Sequence, residues 1–226
     1  MSLDIERVQA ICFDVDGTLS DTDDQWVDRL AHLLHPAASI FPNHDEHKAA
    51  RWLMMGAETP GNVAFTFLDW AHLDYSVARI YSFIQRRRPY LRPTNFWIIP
   101  QVKDALIDLH ERYPMSIVSS RDEAGTLAFL EQYGIQNLFS GIATAQTCKH
   151  TKPYADPILW AAQQMCIPPA NCLMVGDTFV DIYAGKAAGA QTVGVLCGFG
   201  TEQDLRRAGA DWILSSTKDL PELLLK

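Results

Sequence analysis

The sequence predicts an α/β protein: a doubly wound parallel sheet with an all-helical domain inserted after its first strand. Three observations predict it. Short apolar runs alternate with helical stretches through the C-terminal half. A helix-patterned segment without strand-like runs fills residues 19–95. Every candidate polar group falls at the carboxyl end of a predicted strand, where open α/β sheets bind their ligands. The predicted division is a discontinuous core, 1–18 with 96–226, and a helical domain, 19–95.

The first strand is the apolar run from near Val8 to Phe13, which stops at Asp14-Val15-Asp16-Gly17-Thr18. If the extended conformation persists that far, Asp14 and Asp16 address the same side. Helix-start residues Asp21 to Asp24 then lead into Trp26, Leu30 and Leu33 or Leu34 at helical spacing. Further helices are expected over 46–55, from Pro60, and from about Ser76 to Arg86-Arg87-Arg88, with Pro89 and Pro93 marking the exit. Val102, Leu106 and Leu109 make an amphipathic helix, Met115 to Ser119 a strand, and Asp122 to Tyr133 a helix closed by Gly134. The alternation continues with strands at Gly141 to Thr144, Cys172 to Val175, Gln191 to Leu196 and Trp212 to Leu214. Helices are expected at Pro157 to Met165, Val180 to Ala188, Glu202 to Ala208 and Lys218 to Leu225.

Composition limits what such a scaffold binds. A 226-residue chain with 48% apolar residues can bury a proper core. A formal charge of −8 argues against nucleic acid held by phosphate contacts and leaves small ligands as the expected partners. No apolar run approaches bilayer-spanning length, and Asp4 and Glu6 do not fit a secretory leader, so no membrane partner and a cytoplasmic location are expected. The five cysteines are odd in number and scattered, which predicts reduced thiols. Nothing in the pattern fixes the chain as monomer or homodimer.

Beyond the first strand, Ser119 and Ser120 end the second, Lys152 lies in the loop after the third, and Gly176-Asp177-Thr178-Phe179-Val180-Asp181 follows the fourth. Such acids, hydroxyl and lysine on one sheet edge suit phosphoryl transfer to a carboxylate. A phosphomonoester dianion repels an attacking carboxylate, so the site must supply cations, and a hard divalent ion such as Mg²⁺ suits oxygen ligands. Asp14 and Asp177 provide carboxylates for it, Lys152 a fixed positive charge, and Ser119 a hydrogen bond to a phosphoryl oxygen. Asp14 is the expected nucleophile. Asp16 is the expected acid and base, protonating the leaving alkoxide and then accepting a proton from water.

In that order, Asp14-Val15-Asp16-Gly17-Thr18, Ser119, Lys152-Pro153 and Gly176-Asp177-Thr178-x-x-Asp181 resemble the four motifs of the haloacid dehalogenase-like (HAD) hydrolases. With a helical insert after the first motif, the chain looks most like the phosphoglycolate phosphatase and β-phosphoglucomutase branch. The run through Thr192, Gly194, Gly198, Gly200, Ala210 and Asp211 adds to the likeness. The resemblance implies a Rossmann-like core, a helical cap, Mg²⁺ and an aspartyl-phosphate intermediate. It implies metal ligation by Asp14, by the main-chain carbonyl of Asp16 and by Asp177, with Thr18, Ser120, Gly176 and Asp181 in support. Asp16 argues for phosphate esters over dehalogenation, because halide-removing relatives generally lack that second acid. The expected activity is a phosphatase for a small phosphorylated metabolite, with a sugar-phosphate mutase or a non-catalytic binding protein as alternatives. One departure is Ile99-Pro100-Gln101-Val102, where many relatives have a Pro-Gly-Val turn.

Other features read as structural. His44 and His47 fit a helix start with their neighbouring acids, and Arg86 to Arg88 a helix C-terminus. Lys48 reads as a solvated lysine, and Trp26, Trp52, Phe65, Phe67 and Trp70 as packing. Gly198-Phe199-Gly200 lacks the longer fingerprint of a dinucleotide loop.

Overall fold

A computed structural model describes residues 3–21 and 96–225, which fall in one compact unit. Residues 22–95 of the expected helical domain, with His44, His47, Lys48, Arg86 to Arg88 and the five aromatics between 26 and 70, lie outside the described residues, while Leu19 is buried in the core of the sheet unit. Six parallel strands build the sheet: β1 Ala10–Phe13, β2 Met115–Val118, β3 Gly141–Ala143, β4 Cys172–Gly176, β5 Gln191–Val195 and β6 Trp212–Leu214. Their order is β3-β2-β1-β4-β5-β6. Phe13 pairs with Ile117 on one side and Val175 on the other, and the order reverses at β1. Such a reversal opens a crevice at the strands' carboxyl ends.

The period of two along each strand sorts the core into unlike faces. Ile11, Phe13, Met115, Ile117, Leu173, Val175, Val193 and Val195 point to a face of large side chains. Covering it are α1 (Val102–His110) through Val102, Leu106 and Leu109, α2 (Glu123–Tyr133) through Phe129 and Leu130, and a short C-terminal helix. Ala10, Cys12, Val118, Ala143, Cys172 and Met174 point the other way. There α3 (Asp156–Gln164) and α4 (Phe179–Ala187) lay down Ile158, Ala161, Ala162 and Ala184. Small residues on both partners let those helices approach closely, whereas the first face gains more from buried area per residue.

Most predicted elements stand where the pattern puts them, including α5 (Glu202–Ala208) and β6. Two starts differ by more than one residue. The first strand begins at Ala10, because Ile5–Arg7 forms a 3₁₀ turn ahead of the buried Val8. It ends at Phe13, as the apolar run does, but the amides of Thr18, Leu19 and Ser20 all fold back on the Val15 carbonyl, so strand alternation does not reach Asp16. The C-terminal helix is a 3₁₀ turn, Thr217–Asp219, followed by α6 (Leu220–Leu224). Pro221, lacking an N–H, starts the α-helical ladder at its first turn. At the head of α1, Gln101 occupies the left-handed region with φ 68°, which explains why a glycine suits this turn in relatives. The five cysteines are free thiols. Among the described residues no helix is long and apolar enough to cross a membrane.

Candidate active site

Asp14 follows directly on β1, its amide donating to the Val175 carbonyl at 3.0 Å, so the β1–β4 ladder fixes its backbone. The chain then reverses through Gly17, whose φ of 72° suits glycine. A methyl group there would lie 2.3 Å from Asp177 Oδ2, so this turn and Asp177 fit together only without a side chain. The reversal is tied down from the C-terminal half: Thr217 Oγ1 donates to the Thr18 carbonyl at 2.7 Å.

Lys152, in the loop between β3 and α3, reaches Asp14 Oδ1 and Asp181 Oδ1, each at 2.6 Å. All three side chains are buried. Asp181 divides its carboxylate. Oδ1 takes the ammonium, while Oδ2 accepts from the Thr178 amide at 3.0 Å and hydroxyl at 2.7 Å, capping the start of α4. One side chain thus holds the lysine and caps the helix. Gly176 makes room for it, since a methyl group there would stand 2.3 Å from the Asp181 Cβ.

Asp177 follows β4 and is fully buried. Thr18 Oγ1 lies 3.4 Å from its Oδ1, and the Phe199 amide donates to its Oδ2 at 2.8 Å. Ligand atoms of Asp14, Asp177 and Asp181 all come within 4.8 Å of one another. Asp14 and Asp181 share one ammonium, and Asp177 brings a third buried carboxylate beside them, an oxygen-rich cluster that a divalent cation fits. The crowding registers on Asp14, whose carboxyl pKa is pushed up to about 7: burial does most of this, Asp181 and Asp16 add to it, and Lys152 opposes them. For Lys152, burial disfavours the charge, but Asp14 and Asp181 outweigh it and hold the pKa above its ordinary value.

Ser119, just past β2, is buried at the same edge, its amide donating to the Ala143 carbonyl at 2.9 Å. Its hydroxyl oxygen accepts from the Arg121 amide at 3.1 Å, and a hydroxyl so engaged still has its proton to donate. Ser120 is exposed. Asp16 stands apart from the Lys152 cluster. Both its oxygens accept from the Arg121 guanidinium, Nε to Oδ2 at 3.2 Å and Nη2 to Oδ1.

Two residues here were not among those read from the sequence. The signal for Arg121 was an arginine two places after Ser119 at a strand end. The signal for Phe199 was its flanking glycines: a methyl group on Gly198 would sit 2.2 Å from Asp177 Oδ2, so Gly198-Phe199-Gly200 wraps a carboxylate.

The sequence profile of haloacid dehalogenase-like hydrolases matches residues 11–195, which span Asp14, Asp16, Ser119, Lys152, Asp177 and Asp181. The chain belongs to this family. As a HAD-like hydrolase it resembles the phosphoglycolate phosphatase of Chromobacterium violaceum, 28% identical over 98% of this chain and 99% of the relative. It also resembles the pyrophosphatase PpaX of Bacillus velezensis, 27% identical over 95% of each chain. A HAD family hydrolase from Deinococcus radiodurans, solved with bound phosphate and sodium, shares the fold. Its TM-score is 0.68 at 24% identity, over 96% of this chain and 95% of that one.

Proposed function

We propose that this HAD-like hydrolase is a Mg²⁺-dependent phosphatase that cleaves a small phosphomonoester metabolite through an aspartyl-phosphate. Phosphoglycolate is the first substrate to try, after the names of its relatives. One observation carries the reading: the Asp14 carboxylate stands at the end of β1 with one oxygen on Lys152, beside Asp177 and Asp181.

Asp14 attacks phosphorus and the ester bond breaks. Lys152 fixes the attacking carboxylate and offsets charge on the phosphoryl group, while Ser119 donates to one of its oxygens. Asp16 gives the leaving oxygen its proton and then takes one from the water that hydrolyses the aspartyl-phosphate. Asp14 and Asp177 would hold Mg²⁺, with the Asp16 main-chain carbonyl as a further ligand. Asp181 has both oxygens engaged by Lys152 and Thr178, which suits it to orienting the lysine. Bound there, Mg²⁺ supplies the positive charge that lets a carboxylate approach a phosphate dianion.

The test is phosphate release from a panel of phosphorylated metabolites with Mg²⁺ and with chelator, for the wild type and Asp14→Asn. Release that requires both Mg²⁺ and Asp14 is expected. Mg²⁺-dependent release by the variant at a substantial rate would refute the nucleophile. Conversion of a sugar phosphate to its isomer without net release would instead make the enzyme a mutase, and no turnover on any ester would favour a binding role.

A further inference from the structure

We propose that Arg121 is a specificity residue that selects phosphomonoesters whose leaving group carries a second oxyanion, a carboxylate or a phosphate. The inference rests on the phosphatase reading above and on the acid/base role it gives Asp16.

Arg121 is built in from every side. Its amide donates to Ser119 Oγ at 3.1 Å, and its carbonyl accepts from the Ala145 amide at 3.0 Å, so loops after β2 and β3 fix its backbone. Its stem passes over Gly125, where a methyl group would lie 3.2 Å from the Arg121 Cδ. The guanidinium sits over the Phe96 ring, 5.0 Å from the centroid. Only 12% of the Arg121 side chain is exposed, against 36% for Asp16. The cation is thus held and Asp16 is the more accessible partner.

A guanidinium presents a planar fork whose geometry matches a carboxylate or phosphate, and here that fork engages both oxygens of Asp16. In turnover, Asp16 must direct an oxygen to the leaving-group oxygen instead. The edge of the Arg121 fork that faced Asp16 is then open to another planar anion. A second anion on the leaving group fits there, and it would arrive with the same substrate that needs Asp16. A neutral leaving group offers none. Exchange of the Arg121 fork from Asp16 to the substrate therefore couples release of the acid/base to recognition of the correct ester.

The experiment compares kcat/KM for phosphoglycolate, pyrophosphate and ethyl phosphate in the wild type, Arg121→Met and Arg121→Lys. The wild type is expected to prefer the two substrates with a second anion, and whichever of them loses more in Arg121→Met tells which oxyanion the fork takes. In Arg121→Met the preference over ethyl phosphate should fall by about 30-fold, the worth of a charge-assisted hydrogen bond in a covered site. Arg121→Lys should restore part of it, a point charge lacking the fork. Residual ethyl phosphate turnover reports that a variant is folded. Equal losses on all three substrates would make Arg121 a mere prop for Asp16 and overturn the proposal. So would a wild type that prefers ethyl phosphate or shows no preference, which leaves the phosphatase reading standing. No phosphate release from these three or from the metabolite panel would overturn both.

Discussion

At the carboxyl end of the sheet Asp14 and Asp181 share the Lys152 ammonium with Asp177 beside them, whereas near the amino end one oxygen of Asp211 gathers an ammonium, an amide and a hydroxyl. Asp211 Oδ2 accepts from Lys186 at 2.5 Å, from the Thr192 amide at 2.9 Å and from the Thr192 hydroxyl at 3.1 Å. Both side chains are largely closed to water, but Asp14 lies deeper in the protein than Asp211. Depth and neutralisation together separate them. Burial works to raise the Asp211 pKa, but the hydrogen bonds and charge of Lys186 and Thr192 hold it below the usual carboxylate range. On Asp14 burial and the neighbouring acids prevail, and the pKa rises to about 7. The comparison teaches that one carboxylate secures the fold, while the other is maintained at a cost to stability and is available for chemistry.

The sharpest way to break the comparison is to neutralise each acid. Asp14→Asn should lower turnover by about 10⁴-fold or more, as removing a nucleophile does. It should also raise the melting temperature of the chelator-treated protein by roughly 3 °C, because one of three crowded charges is gone. Lys152→Met should reduce turnover by about 10³-fold and cost about 3 kcal/mol in urea unfolding, since Asp14 and Asp181 are left facing each other. Asp211→Asn should do the reverse of Asp14→Asn: about 2 kcal/mol of stability lost with kcat within twofold of wild type. Loss of activity in Asp211→Asn at full stability would collapse the distinction.

The pH dependence should differ in sign. With its folded pKa near 7 and an ordinary value of 3.8, Asp14 in chelator-treated protein subtracts stability as pH rises through that window. The advantage of Asp14→Asn should therefore be larger at pH 7.5 than at pH 5. Asp211, with a depressed folded pKa, contributes stability above 3.8 that is lost as pH falls through its folded value. Its variant should approach the wild type only in strong acid. Smallest of all, Gln101→Gly should leave kcat unchanged and stabilise by about 0.5 kcal/mol, since relief of left-handed strain exceeds the backbone entropy of glycine.

Much of the core was legible because its signals are local. Strand and helix periods, the Gly134 cap with φ 63° and the clustering of polar groups at strand ends all lie within a few residues of one another. The site was legible as far as residue types at strand ends specify it: Asp14, Lys152, Asp177 and Asp181 meet at the β1–β4 crevice. What lay beyond reading depends on pairings across the chain. Asp16 and Arg121 are 105 residues apart, and no pattern around either names the other. Phe199 contributes only a backbone N–H, which any non-proline residue would supply. The turn that follows β1 was hidden for a different reason. Three amides converge on the Val15 carbonyl, and that convergence depends on turn geometry more than on the apolar pattern.

The divided carboxylate of Asp181 has a consequence for anyone who would re-engineer this protein. The first turn of α4 and the ammonium beside Asp14 hang from opposite oxygens of one side chain. A substitution chosen only to improve the helix start, such as Asp181→Glu or Thr178→Pro, would shift Lys152 as well. Stabilising this scaffold and retuning its chemistry are therefore not separable design problems at that corner, and the safer positions for consensus-style improvement lie at the opposite end of the sheet.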